Sequence, residues 1–199
     1  MKNSYWTFFQ GFLKSPKVVA AALPSSRFVE RRLLRAGDPS TAKVIVELGG
    51  GTGGTTRSLL KAMRADAKLI VIEYTENFID TLKAIDDERL EVVHGCASRI
   101  GDILEERGIA GADMVVSGIP FSTMPPELGE KIAEAVSRAL SPGGRFVAYQ
   151  YTDWVEHYTA PFMGSANRQR ELRNLPPLQI FTWRKNTDAR MPHAGNGTA

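Results

Sequence analysis

The sequence contains a single cysteine, Cys96, in 199 residues. One thiol cannot form a disulfide within the chain, which excludes a disulfide-stapled secreted fold and favours a reducing compartment. No apolar run reaches the ~18 residues that span a bilayer. A secretory signal is not expected either, because Gln10, Gly11 and Lys14 interrupt the apolar stretch near the N-terminus. Internal repeats and low-complexity tracts are also lacking.

Neither sign of charge predominates, because 25 basic and 22 acidic residues give a formal net charge of only +3. This small basic excess permits anionic partners such as lipid head groups or RNA, and does not choose between them. Hydrophobic residues make up 43% of the chain, as in an ordinary globular protein with one core. We predict a main domain over residues 17–186, preceded by a distinct segment, 1–16, and followed by a small polar tail, 187–199.

From residue 40 onward, apolar runs alternate with helical patterns. The predicted strands cover residues 43–48, 69–73, 90–93, 114–117, 145–151, 168–175 and 178–185. The predicted helices between or after them cover residues 55–64, 76–85, 98–107, 127–140 and 153–163. Alternation of this kind predicts an α/β fold in which a mainly parallel sheet has helices on both faces.

The most informative stretch, residues 44–54, is an apolar run that passes through Glu47 into five glycines within six residues. Glycines at the end of a strand permit a tight turn and a close approach to a ligand, and the helix that follows directs free N–H groups at it. No lysine follows the glycines, which excludes a nucleoside-triphosphate loop. A nicotinamide site and a turn without a ligand remain alternatives at this point.

The spacing E-x-G-x-G-x-G, with a second acid ending the next apolar run, resembles motif I of class I S-adenosylmethionine (SAM) methyltransferases. The resemblance implies a Rossmann-like, seven-stranded sheet of order 3-2-1-4-5-7-6 with strand 7 antiparallel, and SAM as cofactor. It implies that Glu73 binds the two ribose hydroxyls and that Glu47 helps to bind the methionine end. The other positions implied to contact SAM are Ser26, Gly49, Gly51, Thr52, Gly53, Tyr74, Cys96, Ala97, Ser117, Gly118 and Ile119.

The sequence departs from this family at Cys96, where an acid usually contacts the adenine amine. A thiol is a poor hydrogen-bond acceptor, so the resemblance leaves backbone groups around Ala97 to hold adenine. The nearby His94 is interpreted as a packing residue at a strand end, with a role as a base as the alternative.

The predicted fourth strand ends in Ser117-Gly-Ile-Pro-Phe121, where methyltransferases of this class bind their acceptor. The segment resembles the amine-binding motif of base-modifying N-methyltransferases, and more closely that of bacterial phospholipid N-methyltransferases. Residues 22–26 and 170–177 extend the latter resemblance. It implies stepwise methylation of phosphatidylethanolamine towards phosphatidylcholine. An RNA methyltransferase like the ribosomal RNA adenine dimethyltransferases is the alternative.

The catalytic candidates are Ser117 and Tyr151, which we expect to orient the acceptor amine. An apolar pocket lowers the pKa of an amine, so a strong base is not required. The candidates for binding the acceptor are Phe121, Arg27, Tyr5 and Arg173. No metal is expected, nucleic acid is not the expected partner, and a monomer is predicted.

Residues 5–14 place their aromatic side chains on one face of a helical wheel. Such a helix could cover the core of its own domain. It could instead lie in a membrane interface, with neighbouring lysines near anionic head groups. Together with the resemblance, the second interpretation implies a cytoplasmic protein that binds the inner face of the cell membrane peripherally.

Overall fold

The computed structural model describes residues 27–174 and 176–187. The predicted amphipathic helix, Tyr5 and Ser26 lie outside the described residues, as does the tail beyond residue 187. Within the described ranges, no helix has both the length and the apolar character needed to cross a membrane.

The described residues form a sheet of seven strands with helices packed on it. The strands are β1 (Val44–Leu48), β2 (Lys68–Glu73), β3 (Leu90–His94), β4 (Ala112–Ser117), β5 (Leu140–Gln150), β6 (Asn167–Glu171) and β7 (Leu178–Arg184). The α-helices are α1 (Arg27–Gly37), α2 (Gly54–Ala62), α3 (Glu76–Lys83), α4 (Ile100–Glu105), α5 (Pro126–Ala139) and α6 (Trp154–Met163). Short 3₁₀ turns cover Pro39–Thr41, Ala97–Arg99 and Phe121–Thr123.

The strand order is β3-β2-β1-β4-β5-β7-β6. The first five strands pair in parallel, and β7 runs antiparallel to both β5 and β6. The predicted fold class and strand order are therefore confirmed. The central strands are buried on both faces, which explains why their sequences read as continuous apolar runs.

Two apolar cores lie on opposite faces of the sheet, because successive side chains of a strand point to opposite sides. Val46 and Leu48 of β1 join the core formed with α4, α5 and α6. Ile45 of the same strand joins the core formed with α1, α2 and α3. The helix α1 thus covers the sheet directly, through the buried side chains of Val29 and Leu33.

Strands β5 and β6 differ from their predicted boundaries. Strand β5 begins at Leu140, which pairs with Ala112, and regular pairing resumes only at Arg145. Residues 141–144, which lie between the predicted helix 127–140 and the predicted strand 145–151, form an irregularity within the strand. Strand β6 ends at Glu171, earlier than predicted, because the backbone N–H of Arg173 bonds back to the Glu171 carboxylate and turns the chain.

The predicted helix 98–107 is also shorter than expected. A 3₁₀ turn covers Ala97–Arg99, and α4 ends at Glu105. Gly108 lies in the left-handed region at φ 66° and stops the helix.

The residue that follows β7, Lys185, lies at the edge of the sheet where the parallel strands begin. Lys185 exchanges backbone hydrogen bonds with the irregular segment of β5, from Gly143 N–H and to the Gly144 carbonyl, both at 2.9 Å. Its ammonium donates to the carbonyls of Ser137, Arg138 and Leu140 at the end of α5. Burial lowers the pKa of this ammonium.

Candidate active site

The carboxyl ends of β1, β2 and β4 meet at one edge of the sheet, called here the ligand edge. Leu48 pairs with Ile72 on one side and with Ser117 on the other. Strand order reverses beside β1, and open α/β sheets bind ligands at such a switch point. The predicted positions that the structure brings to this edge are Glu47, Gly49, Gly51, Thr52, Gly53, Glu73, Tyr74, Cys96, Ala97, Ser117, Gly118 and Ile119.

The glycine turn after β1 has a backbone that requires glycine at alternate positions. Gly49, Gly51 and Gly53 have φ values of 80°, 51° and 81°, in the left-handed region that other residues rarely adopt. A Cβ at Gly49 would lie 2.7 Å from the Ile119 side chain. A Cβ at Gly51 would meet nothing within 4 Å, so the turn is open at its centre.

The Glu73 carboxylate lies at the end of β2 beside this open turn and is 5% exposed. Its Oε2 accepts the N–H of Gly51 at 3.0 Å, and its Oε1 accepts the N–H of Thr75 at 2.7 Å. Each carboxylate oxygen has two lone pairs. Glu73 therefore braces the turn and can still accept two hydroxyl groups of a ligand.

The Glu47 side chain is buried beneath the turn. Its Oε2 accepts the Thr56 hydroxyl at 2.7 Å, and its Oε1 has no hydrogen-bond partner among the described residues. Burial is the main cause that raises the pKa of Glu47 to about 8; the bond from Thr56 opposes the shift, and the negative charge of Glu73 adds to it. A buried oxygen without a partner is costly, which indicates a place for a ligand donor.

The predicted adenine side is the segment after β3. Cys96 is partly buried, and its sulfur accepts the Ser98 hydroxyl at 3.2 Å. Ala97 begins the 3₁₀ turn and is buried. His94 lies with Nε2 3.1 Å from the Tyr74 carbonyl, so its ring is held against the neighbouring strand. Adenine contacts at Tyr74, Cys96 and Ala97 stay predictions.

The acceptor side begins at Ser117, which is fully buried at the end of β4. Its hydroxyl has no hydrogen-bond partner among the described residues. The next residue, Gly118, has no room for a Cβ because the Tyr149 hydroxyl lies against it. Gln150 donates to the Ile119 carbonyl at 2.7 Å and fixes the loop that follows β4, called here the acceptor loop. An unpartnered hydroxyl thus lies beside a loop of fixed geometry.

Sequence reasoning selected Tyr151 and missed Tyr149. The Tyr149 hydroxyl lies 3.3 Å from the Thr55 hydroxyl and so joins the acceptor loop to α2. Tyr151 follows the last residue of β5, and its carbonyl accepts Gln179 at 3.5 Å. The register of β5 against β4 distinguishes the two tyrosines, and a single sequence does not display that register. A catalytic role for Tyr151 stays a prediction.

The proposed acceptor-binding residues occupy different environments. The Phe121 ring is fully buried, with its centroid 6.3 Å from that of Tyr158, which favours packing over contact with an acceptor. Arg27 and Arg173 come together on the ring of Phe28 although 146 positions separate them.

Comparison with known proteins identifies the family. Residues 46–146 match the family model described as a methyltransferase domain. The chain is also 33% identical over 182 residues to an ornithine lipid N-methyltransferase from Singulisphaera acidiphila, covering 90% of this chain and 95% of that protein. The chain belongs to the SAM-dependent methyltransferase family. The predicted cofactor, SAM, is thereby confirmed.

Other similar proteins align with a smaller part of this methyltransferase or have a lower sequence identity to it. Ribosomal RNA small subunit methyltransferase A from Thermotoga maritima is 30% identical, over 53% of this chain and 35% of that enzyme. The solved structure of 1,6-didemethyltoxoflavin-N1-methyltransferase from Burkholderia thailandensis superposes with a TM-score of 0.64 at 17% identity, covering 92% of this chain and 87% of that one. The N-methyltransferase NodS from Bradyrhizobium japonicum also gives 0.64, at 14% identity, covering 82% and 99%. These structures bear on the fold alone.

The described residues fit SAM. The remaining lone pairs of Glu73 suit the two ribose hydroxyls, and the free oxygen of Glu47 suits the amino group of the methionine end. The open centre of the turn at Gly51 leaves space for the ligand to approach the backbone. SAM supplies a methyl group that its sulfonium already activates. The protein's remaining task is to align an acceptor behind that methyl.

Proposed function

We propose that this methyltransferase transfers the methyl group to the amine of a membrane-lipid head group. The observation that carries the proposal is the match of nearly the whole chain to a lipid N-methyltransferase, at 33% identity. The ribosomal RNA methyltransferase from Thermotoga maritima aligns with 53% of this chain and only 35% of its own length. That partial match supports RNA as an acceptor much less.

The acceptor loop has the chemistry that an amine requires. A primary amine must lose a proton before its lone pair can attack. The buried setting of Ser117 disfavours the charged ammonium and lowers the pKa of an amine bound there. The Ser117 hydroxyl and the Gly118 carbonyl can accept the remaining N–H bonds and direct the lone pair. The Tyr149 ring beside Gly118 suits an amine that gains methyl groups and loses N–H donors.

Two head groups are candidates for the acceptor. The motif at residues 117–121 favours phosphatidylethanolamine, methylated stepwise towards phosphatidylcholine. The relative from Singulisphaera acidiphila is named for ornithine lipid. Both lipids present a primary amine close to an anionic group, so one acceptor loop could serve either.

The same proposal gives residues 1–16 the task of binding the membrane. Their sequence places aromatic side chains on one helical face with lysines nearby, the pattern of a helix that lies in an anionic interface. The protein would then work as a peripheral enzyme on the cytoplasmic face of the cell membrane. Deletion of residues 1–16 should abolish co-sedimentation with anionic vesicles; unchanged sedimentation would contradict this part of the proposal.

The decisive assay offers radiolabelled SAM with phosphatidylethanolamine, ornithine lipid or ribosomal RNA in parallel reactions. We expect label in the organic phase for at least one lipid and none in RNA. Glu73→Ala protein, which we expect to bind SAM much more weakly, serves as the control. Label in RNA alone, or in none of the three acceptors, would refute the proposal.

A further inference from the structure

An arginine cluster lies at the ligand edge and consists of Arg27 and Arg32 of α1 and Arg173 of the turn after β6. Strand β7 begins at this edge, because Gln179 pairs with Gln150 at the end of β5. Glu171 pairs with Leu178, so β6 ends there too. The chain that leaves β6 therefore reaches the same edge as Ser117, on the acceptor side. With strands ~4.8 Å apart, three steps across the sheet separate the ends of β4 and β6 by about 14 Å.

The helix α1 also begins at this edge and ends at the opposite one. Its last residue, Gly37, accepts a hydrogen bond from Arg145, which lies near the start of the regular part of β5. Its first residues contact the turn after β6 through Phe28 and Arg173. Arg27 is therefore at the ligand edge, whereas Arg35 is two turns away from it.

The cluster holds more positive than negative charge. Arg32 and Arg173 both bind the buried carboxylate of Glu171, at 2.6 Å and 2.7 Å. These bonds hold the pKa of Glu171 far below its usual range, with Arg173 the larger cause. Arg27 has no hydrogen bond or ion pair within the described part of the chain. Two of the three arginines thus share one carboxylate, and the charge of Arg27 is not balanced by an ion pair within the described residues.

The Phe28 ring aligns the two outer arginines without using their donors. The guanidinium carbon of Arg173 lies 4.2 Å from the ring centroid, and that of Arg27 lies 5.0 Å from it. Stacking occupies the face of a guanidinium, whereas its N–H groups lie in its plane and stay accessible. Arg173 donates from Nε and Nη2 to the Glu171 carboxylate and keeps Nη1 for another acceptor, whereas Arg27 uses none of its donors within the described residues. Such planar donors match the oxygens of a carboxylate or a phosphate. The side chain next to this pair, Leu172, is 73% exposed, as suits a turn that meets a lipid surface.

We propose that Arg27 and Arg173, held on the ring of Phe28, form a subsite for the anionic group of the lipid acceptor, a phosphate or a carboxylate in the same head group as the amine. The inference rests on the proposed function and makes it more specific. Ser117 and Gly118 receive the amine, and the arginine pair receives the anion. A head group bound at both ends presents its nitrogen in one orientation.

The test measures methyl transfer to lipid in micelles of neutral detergent, so that general surface charge does not contribute. Arg27→Gln should raise the KM for lipid about tenfold, the loss of one charge-assisted contact. Its kcat and its affinity for SAM should stay near those of the unmodified protein. Arg27→Lys, which keeps the charge but loses the planar fork, should lie in between. Arg35→Gln, on the same helix but away from the ligand edge, is the matched control.

Soluble amines separate the anion from the lipid as the source of binding. Phosphoethanolamine should compete with the lipid acceptor, and about tenfold more weakly against Arg27→Gln protein. Ethanolamine, which has no phosphate, should compete equally against both. Equal KM values for Arg27→Gln and Arg35→Gln would overturn the subsite. Equal competition by phosphoethanolamine against the unmodified protein and Arg27→Gln protein would overturn it as well. If the unmodified protein labels no lipid at all, the proposed function itself fails instead.

Discussion

The donor and acceptor halves of the ligand edge are assembled in different ways. On the donor half, the bonds that shape the site join residues close in sequence: Thr56 to Glu47 across nine positions, and Gly51 to Glu73 across 22. On the acceptor half, Tyr149 reaches Thr55 across 94 positions, and Arg32 reaches Glu171 across 139. The bonds that shape the methionine and ribose end of the donor half thus lie within one local βαβ unit. The acceptor half depends on how distant elements pack, so it can change while cofactor binding is kept.

The largest effect that would test this separation is expected at Glu73. Glu73→Ala removes the predicted acceptor of two ribose hydroxyls and the brace on the glycine turn. We expect SAM binding, measured by calorimetry, to weaken about 100-fold or more, since each hydrogen bond to a charged group contributes about 1.5–3 kcal/mol. Glu76→Ala, at the exposed start of α3, is the control. Unchanged binding by Glu73→Ala protein would break the assignment of the donor half.

A second test uses the buried carboxyl of Glu47 in the protein without SAM. Its pKa is about 8 in the folded protein, against an ordinary value of 4.5 for an exposed glutamate, so unfolding releases a proton between these values. The stability that this carboxyl contributes to the free energy of unfolding is therefore fully present below about pH 4.5. It is lost progressively as the pH rises towards 8, because the folded protein must then give up or hold a proton that the unfolded chain has already released. Glu47→Gln should lack this slope, which approaches about 1.4 kcal/mol per pH unit. Urea unfolding should be measured for the unmodified protein and Glu47→Gln protein between about pH 5.5 and 7.5. The difference between their free energies of unfolding should change by about 2 kcal/mol over this range. The same pH dependence in both proteins would contradict the raised pKa of Glu47.

The smallest effect is expected at Ser117 and would sharpen the contrast on the acceptor half. Its buried hydroxyl has no partner in the described residues, so Ser117→Ala should stabilise the free protein by about 1 kcal/mol. The same change should lower kcat about tenfold. Ser58→Ala is the matched control, because its hydroxyl is bonded to Glu30 at 3.0 Å and its loss should destabilise. A Ser117→Ala protein that loses stability and keeps full activity would refute the acceptor role.

The same contrast explains what the sequence could predict. The G-x-G-x-G spacing and Glu73 were recognisable because their geometry is local. Apolar alternation predicted the strands and a mainly parallel sheet, and the family resemblance implied the strand order. Tyr149 was missed because strand register decides which of two nearby tyrosines reaches Gly118. The meeting of Arg27 and Arg173 on Phe28 depends on how α1 packs across β7 and β6. The buried Phe121 shows that a motif position can match a family while its side chain packs inward.

The antiparallel course of β7 has a practical consequence. Because β7 starts at the ligand edge, it carries the chain to the opposite edge, where Arg184 pairs with Arg145 and Thr187 lies 3.5 Å from the Cβ position of Gly143. A fluorophore or an affinity handle joined after residue 187 would therefore leave the fold on the side away from the SAM site and the proposed acceptor site. Protein tethered to a sensor chip through this end would present its ligand edge to the flow, where the proposed binding to lipid vesicles can be measured directly.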